Sequence, residues 1–194
     1  MALTISGTSN GKLGNLSLSA STGDILDSAN TTFFGIDTWY ITANKAQSSS
    51  TVTLDANWVR LADNLPTGST KTGTIGTIGN AMTQSSGVFT FPSTGIWRID
   101  YVAQVDNDGS SDFVYQIIFH TNDNFSTEGL AALPGNTQSG SGVQGLYNLH
   151  LIFDCQDTST HKVRFAIGSL ANGNCVGRAD FMATYVSFTK LGET

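Results

Sequence analysis

The three histidines of this sequence have the widest chemical range of its side chains, because imidazole binds metals and titrates near neutral pH. They are His120, His150 and His161. His120 and His150 fall on the predicted outward side of two strands, and neighbouring strands could bring them together. A zinc site needs at least a third protein ligand, and the spacing marks none. The sequence therefore favours surface or interface histidines over a metal site.

The acidic side chains are few, and several of them concentrate in one short segment. Residues 106–112, DNDGSSD, combine aspartates with asparagine and glycine, as hairpin turns do. Calcium binding is the less favoured interpretation, because the segment lacks the ligand order and the closing glutamate of an EF-hand. The glutamates, Glu128 and Glu193, are too few to predict the paired carboxylates of a glycosidase. We therefore expect a protein without enzymatic activity and without a cofactor.

The two cysteines, Cys155 and Cys175, are too few for a disulfide framework, and their spacing is not that of a zinc knuckle. Two free, partly buried thiols are the favoured interpretation, since free cysteine is usually buried. A single bridge across a hairpin stays open as the alternative, because its formation depends on the redox compartment.

The composition limits the partners that the chain can have. Only 12% of its 194 residues are charged, and the formal net charge is −6. No cluster of Lys and Arg is present to neutralise phosphates, so a nucleic-acid partner is not expected. No apolar run approaches the roughly 18 residues of a membrane span, and the first residues lack the apolar core of a secretory signal. We expect a soluble protein made in a cytosol and not inserted in a membrane.

Alternation of apolar and polar residues is the main structural signal, and it is strongest in residues 87–105. After a turn at Pro92, Trp97 begins an alternation that continues to Val105, so Trp97 is expected to be buried. No segment has a sustained period of 3.6 residues. The sequence therefore predicts an all-β fold.

Two predicted strands are apolar on both faces. In residues 113–120, Phe113 is assigned to the inward face, and the opposite face, with Ile118, is expected to meet another chain. The terminal strand, residues 181–190, is apolar on both sides in the same way. We therefore predict an interface between copies of the chain that includes four residues: Ile118, Tyr185, Val186 and Phe188.

The first part of the chain has a different character. Up to about residue 30 its apolar residues form short groups between glycines, which cannot make a core alone. They are predicted to anchor the chain on another protein: Leu3, Ile5, Leu13, Leu16 and Leu18. Residues 33–61 are predicted to form two or three strands with a small core, and residues 65–79 a linker. The predicted domains are an N-terminal arm or small β module, residues 1–72, and a second domain, residues 73–194.

Two segments of the second domain resemble a known family. The hairpin FTFPSTGIW, residues 89–97, and the last strand FMATYVSFTKLG, residues 181–192, are similar to those of tumour-necrosis-factor-like jelly rolls, including complement globular heads. The resemblance covers residues 73–194 and implies a jelly-roll β-sandwich, with two sheets packed face to face. It also implies a homotrimer formed through aromatic strand faces. The family's calcium ligands cannot be matched to residues of this chain, so calcium binding is not carried over.

A second resemblance involves the preceding residues. DTWYITA, residues 37–43, and NWVRL, residues 57–61, followed by SSGVFTFPSTGIW, resemble virion proteins of marine tailed phages (cyanophage-like), in which such modules precede jelly-roll heads. This resemblance implies a virion protein assembled in the host cytoplasm. The favoured role is a trimeric capsid decoration, or cement, protein whose arm binds the major capsid protein or another virion protein. The alternative is the receptor- or glycan-binding head of a short tail fibre, with loops near Trp97 and residues 121–145 on the host surface.

Overall fold

The computed structural model describes residues 4–5, 16–18, 25–26, 35–48, 50–61, 66, 77–108, 112–138, 142–168, 170 and 172–194. Every regular element in these ranges is a β-strand, which confirms the all-β prediction. None of the described residues belongs to a helix that could cross a membrane. The strands in chain order are β1 (Thr4–Ile5), β2 (Leu16–Leu18), β3 (Ile25–Leu26), β4 (Gly35–Ile41), β5 (Lys45–Ala46), β6 (Val52–Thr53), β7 (Trp58–Arg60), β8 (Thr83–Ser85), β9 (Val88–Thr90), β10 (Gly95–Asn107), β11 (Asp112–Thr121), β12 (Gly129–Gln138), β13 (Val143–Cys155), β14 (Lys162–Gly168), β15 (Gly173–Cys175) and β16 (Tyr185–Gly192).

Two antiparallel sheets form the sandwich. The first, called the front sheet, has the order β13-β10-β16-β4-β7, with β15 and β5 continuing beside the far end of β10. The second, called the back sheet, has the order β12-β11-β14-β9-β8, with β6 also paired to β14. The chain passes between the two sheets from β9 to β10, from β10 to β11, from β12 to β13 and from β13 to β14. This topology is that of a jelly roll.

β10 is the central strand of the front sheet, and its sequence explains why. Its alternate residues Trp97, Ile99 and Tyr101 are all buried, so one face of the strand supplies the core. β13 pairs with its whole length on one side, and β16 pairs with it from Ile96 to Val102 on the other. The strand begins at Gly95, whose φ of 136° and close approach to the backbone of Gly192 leave no room for a side chain. The predicted burial of Trp97 is confirmed.

A cluster of aromatic rings fills the space between the sheets. The ring of Phe89 on β9 lies 5.6 Å from Trp39 and 5.3 Å from Trp58, between ring centroids. It also lies 5.4 Å from Phe165 and 5.2 Å from Phe188. These rings come from β4, β7, β14 and β16, so a single residue of the back sheet contacts three strands of the front sheet. Such contacts stabilise a core beyond the burial of their area.

The predicted boundary between residues 72 and 73 needs correction. β4 and β7 belong to the front sheet, and β6 pairs with β14 of the back sheet. Trp39 and Trp58 therefore lie in the main core and not in a separate small core. The sequence could not show this, because pairing between β4 and β16 joins residues far apart in the chain. The sandwich begins by residue 35, and residues 62–65 and 67–76 of the predicted linker lie outside the described residues.

The predicted facing of β11 is wrong. Val114, Gln116 and Ile118 point into the core with no exposed surface, whereas Phe113 is 41% exposed. Both faces of this strand are apolar, and moving the assignment by one residue exchanges its two faces. Ile118 cannot then lie in an interface between chains.

The predicted facing of the terminal strand needs a similar correction. Val186 and Phe188 are fully buried within a single chain, where they face the rings of the core. They pair with β10 at Tyr101 and Ile99, which point inward. Tyr185 lies on the outward side of β16 and is half-buried, so of the four predicted interface residues it alone stays a candidate.

The predicted anchor residues are only partly within the described chain. Ile5, Leu16 and Leu18 lie in a separate three-stranded antiparallel sheet formed by β1, β2 and β3. In its register Ile5 is opposite Leu16, and Leu18 is opposite Ile25. Leu3 and Leu13 lie outside the described residues. The anchoring role of this segment stays a prediction.

A buried carboxylate connects three parts of the chain. Asp37 on β4 is almost fully buried and accepts hydrogen bonds from Trp39 Nε1 and from the backbone amide of Met82, both at 2.9 Å. The guanidinium of Arg60 on β7 lies 3.3 Å from the same carboxylate and donates to the carbonyl of Met82 at 2.6 Å. A buried charge is tolerated only when it is paired and hydrogen-bonded in this way. Asp37 therefore holds β4, β7 and the segment before β8 together.

We predict that Trp97→Ala strongly destabilises the sandwich. The side chain is 2% exposed and packs on Phe91 at 5.4 Å between ring centroids. Its removal should cost about 3–5 kcal/mol, a large part of the roughly 5–15 kcal/mol that stabilises a domain. Urea unfolding followed by circular dichroism measures the loss. Leu130→Ala is the control, because Leu130 is 60% exposed and its truncation should change stability by less than about 0.5 kcal/mol. An unshifted midpoint for Trp97→Ala would contradict its place in the core.

Candidate functional site

The outward side of the front sheet is the broadest candidate surface, and it is called the front face here. β10, β13, β16 and β4 contribute alternate residues to it. Two of its apolar side chains are strongly exposed, Leu146 at 64% and Ile152 at 56%. Its residues are Arg98, Asp100, Val102, Gln104, Leu146, Asn148, His150, Ile152, Tyr185, Ser187, Thr189, Ile36 and Thr38.

Many polar groups of the front face are already paired with one another. Arg98 donates from Nε and Nη2 to Oδ1 of Asp100, at 3.0 and 2.9 Å. The hydroxyl groups of Thr38 and Ser187 are hydrogen-bonded across β4 and β16 at 2.9 Å. Polar groups with partners cost less free energy when a second surface covers them than groups that lose water without replacement. Covering the front face with another protein surface therefore costs less desolvation free energy than its polar content indicates.

A second candidate is a cleft at one end of the sandwich, called the end cleft here. It lies where β11 and β13 end and β14 begins, and its volume is about 320 Å³. Its lining joins imidazole, hydroxyl, amide and carboxylate groups with apolar side chains. The lining residues are His120, Thr121, Asn122, Thr127, Gly129, Leu151, Ile152, Phe153, Asp154 and His161.

Two imidazole rings flank one phenyl ring in the end cleft. The ring centroid of Phe153 lies 5.9 Å from that of His120 and 6.0 Å from that of His161. Gly129 is opposite His120 in the register of β11 and β12, and a Cβ atom at Gly129 would overlap the imidazole. The absence of a side chain at this position therefore makes the space that the ring of His120 occupies.

Two turns held by aspartates form the rim of the end cleft. Asp123 accepts hydrogen bonds from the hydroxyl of Thr121 at 2.7 Å and from that of Thr127 at 2.6 Å. These bonds, in that order, lower the pKa of Asp123 to about 2 by favouring the charged form. In the facing turn, Asp157 accepts from the amide and the hydroxyl of Ser159, which lowers its pKa in the same way. Because both carboxylates are charged at neutral pH, we expect the hydrogen bonds of both turns to be intact there.

A backbone hydrogen bond joins the two turns of the rim. The amide of Asn124 donates to the carbonyl of Thr160 at 3.0 Å. Asn124 and Phe125 both have positive φ, at 58° and 64°, which turns the first loop back toward β12. The two loops that border the end cleft are thus fixed to each other as well as to the sheets.

The structure places the first two histidines apart. His120 lies on β11 of the back sheet and faces the end cleft, whereas His150 lies on β13 and belongs to the front face. The less favoured possibility that His120 and His150 meet across adjacent strands is therefore excluded, because they belong to different sheets. His161, which the sequence did not connect with His120, shares the end cleft with it. Within the described ranges, no three His, Cys, Asp or Glu side chains are grouped to hold a metal ion.

The predicted contact loop of residues 121–145 is shorter than expected. β12 occupies residues 129–138, so the loop next to the end cleft covers only residues 122–128. The sequence also missed Ile152 and Leu146 as exposed apolar residues. Their signal was present, since they fall between the inward residues of β13 and so on its outward side. The acidic residues 106–112 are only partly described, because residues 109–111 lie outside the described chain.

The comparisons with known proteins identify the class of fold. The sequence matches no protein-family model, and the comparison with curated proteins found no match. Murine APRIL at pH 8.5 is 9% identical, with a TM-score of 0.55 over 81% of this chain and 99% of that one. Eiger TNF from S. frugiperda is also 9% identical, with a TM-score of 0.52 over 84% of this chain and 95% of that one. The predicted tumour-necrosis-factor-like jelly roll is therefore confirmed as a fold.

A phage protein is also similar, although more weakly. The vertex protein P5 of PRD1 is 11% identical to this chain and has a TM-score of 0.45, over 84% of this chain and 98% of that one. A likeness at this score supports no conclusion about function.

The two cysteines are too far apart to form a bridge. Both are buried and free. Cys155 is opposite Gly95 at the start of β10, and Cys175 is opposite Val105 near its end. Ten residues of strand separate these positions by about 33 Å, whereas a disulfide needs Cα atoms within about 7 Å. The alternative of a bridge across a hairpin is therefore excluded in this fold.

We predict that neither thiol of the folded protein reacts with Ellman's reagent at pH 8. Burial raises the pKa of Cys155 to about 11 and that of Cys175 to about 12. Thiolate forms only as the pH rises toward these values, so at pH 8 both groups are almost entirely uncharged and unreactive. Both should react once guanidinium unfolds the chain. Rapid reaction of either thiol in the native protein would contradict the predicted burial.

Proposed function

We propose that this chain is a structural protein of a phage virion, and that it forms a homotrimer which decorates the capsid. The proposal of a trimer rests on the front face. It combines strongly exposed apolar residues with polar groups that are already paired, as surfaces that associate do. The order of its N-terminal motifs and hairpin, which resembles virion proteins of marine tailed phages, supports the virion role.

The proposed contact between copies centres on β10 and β16, and of the four residues that the sequence indicated it keeps only Tyr185. Val102 and Tyr185 are opposite each other in the register and are both half-buried. Leu146 on β13 provides apolar area at one margin, and Ile36 on β4 provides it at the other. A specific interface needs about 800 Å² from each partner, with apolar residues at its centre and polar ones at the rim. A surface spanning four strands can supply this area.

The proposed attachment to the capsid uses the segment before the sandwich. β1, β2 and β3 pair only with one another among the described strands, and they contain Ile5, Leu16 and Leu18. Three such short strands bury little surface by themselves, so contact with the major capsid protein or another virion protein would stabilise them. The proposed location is accordingly the virion, after assembly in the host cytoplasm.

The second candidate function is a receptor- or glycan-binding head of a short tail fibre. The end cleft favours it, because a concave site with both polar and apolar lining is typical of ligand binding.

We predict that Val102→Arg prevents assembly of the trimer. A charged side chain at the centre of the front face would have to lose water without a partner in the contact. Sedimentation velocity at micromolar concentration should show a trimer for the parent protein and a monomer for the variant, with unchanged circular dichroism. Leu130→Arg, on the outward side of the back sheet, is the matched control and should still form trimers. A parent protein that sediments as a monomer would exclude the trimer.

We predict that deletion of residues 2–30 removes attachment to the capsid but not the trimer. These residues contain the predicted anchor, and the sandwich begins after them at β4. Particles assembled with the shortened chain should lack it in gel electrophoresis of purified virions, while the purified chain still sediments as a trimer. Cryo-microscopy of parent particles should show many copies on the shell. Equal incorporation of the shortened chain would refute the anchor, and a few copies at the tail would favour the second candidate function.

A further inference from the structure

We propose that the end cleft binds a neutral sugar residue of a glycan. The inference rests on the second candidate function, and it supplies the site and the chemical class of the ligand. It does not depend on the trimer, since residues of one chain form the whole lining.

The end cleft offers unused hydrogen-bonding groups of both kinds. Among the described residues, no side-chain or backbone group of the chain is hydrogen-bonded to the imidazole of His120 or to the side-chain amide of Asn122. Asp154 is exposed and accepts one hydrogen bond, from Gln156 at 2.8 Å, which leaves most of its acceptor capacity free. A neutral imidazole and an amide each donate and accept, whereas a carboxylate only accepts. A ligand that suits this set must both donate and accept, as hydroxyl groups do.

The same set of groups is unsuited to ions. A bound anion would need donors around it, and the carboxylate of Asp154 would repel it. A metal ion would need three or more ligands brought together, and the described residues provide no such group. A neutral polyhydroxyl compound, which both donates and accepts hydrogen bonds, fits this set of groups.

The apolar part of the end cleft suits the carbon face of a sugar ring. Ile152 is strongly exposed, and Phe153, which is 8% exposed, also lines the end cleft. A sugar presents C–H groups on its ring face and hydroxyl groups on its rim, so it would pack on these side chains while its rim reaches the polar groups. The volume of about 320 Å³ is near the lower limit of about 300 Å³ for ligand sites, which fits one sugar ring and not a long chain.

The two turns that border the end cleft are held in place, which favours binding. The turns at Asp123 and Asp157 are held by their own hydrogen bonds, and the bond from Asn124 to Thr160 ties the turns together. Groups already held in place lose little conformational entropy when a ligand arrives.

Saturation-transfer NMR with glucose, galactose, mannose and N-acetylglucosamine tests the proposal. At least one sugar should receive saturation from the protein, and it should shift the amide signals of residues 120–129 and 151–161. Asp154→Asn removes the charged acceptor at an exposed position and should weaken binding about tenfold, as should His161→Ala. His150→Ala is the matched control, because it removes an imidazole of the front face and should leave binding unchanged.

The outcomes separate the site from the function. If a sugar binds but shifts amides elsewhere, the end cleft is the wrong site and glycan binding survives. If none of the four sugars receives saturation, both the site and this ligand class are refuted, while the sedimentation result for the trimer stands. Circular dichroism checks the folding of each variant. If His161→Ala fails to fold, the amide shifts and Asp154→Asn decide the question.

Discussion

The packing of aromatic rings around Phe89 is the constraint on which the rest of the structure depends. β9 has only three residues, and the burial of this one ring brings β4, β7 and β16 of the front sheet against β14 of the back sheet. Large rings contribute most of the apolar area that a β-sandwich buries, and their edge-to-face contacts fix the distance between the sheets. This contact turns the side of β16 that carries Phe188 inward, and the pairing of β16 with β10 and of β10 with β13 then sets which side of each strand is outward.

The hydrogen bonds of Asp37 extend the same arrangement to the start of the sandwich. They join β4 to Arg60 on β7 and to the amide of Met82, so residues 35–61 are held both by the core and by a buried charge. A charge in this position stabilises only the arrangement that supplies its partners. The strands from β4 to β7 are therefore part of the jelly roll, whereas β1, β2 and β3 pair with none of its described strands.

The two candidate surfaces share one strand and one residue. β13 is an edge strand of the front sheet, and Ile152 belongs both to the front face and to the end cleft. The end cleft therefore lies at the margin of the proposed contact between copies. Three copies would place three clefts around the assembly. A weak affinity for one sugar would then be multiplied, as it is whenever linked sites engage a repeating ligand.

Local patterns in the sequence determined the all-β class, the burial of Trp97, the turn before β10 and the likeness of the hairpin to a jelly roll. They could do so because strand period and turn chemistry act over a few residues. Only the tertiary structure decided the facing of β11, where Phe113 and Ile118 exchange sides because apolar residues occupy both. It alone decided the place of Trp39, the distance between Cys155 and Cys175, and that His120 and His161 line the same cleft. Each of these depends on which distant strands pair, and pairing is selected by the fit of the whole core.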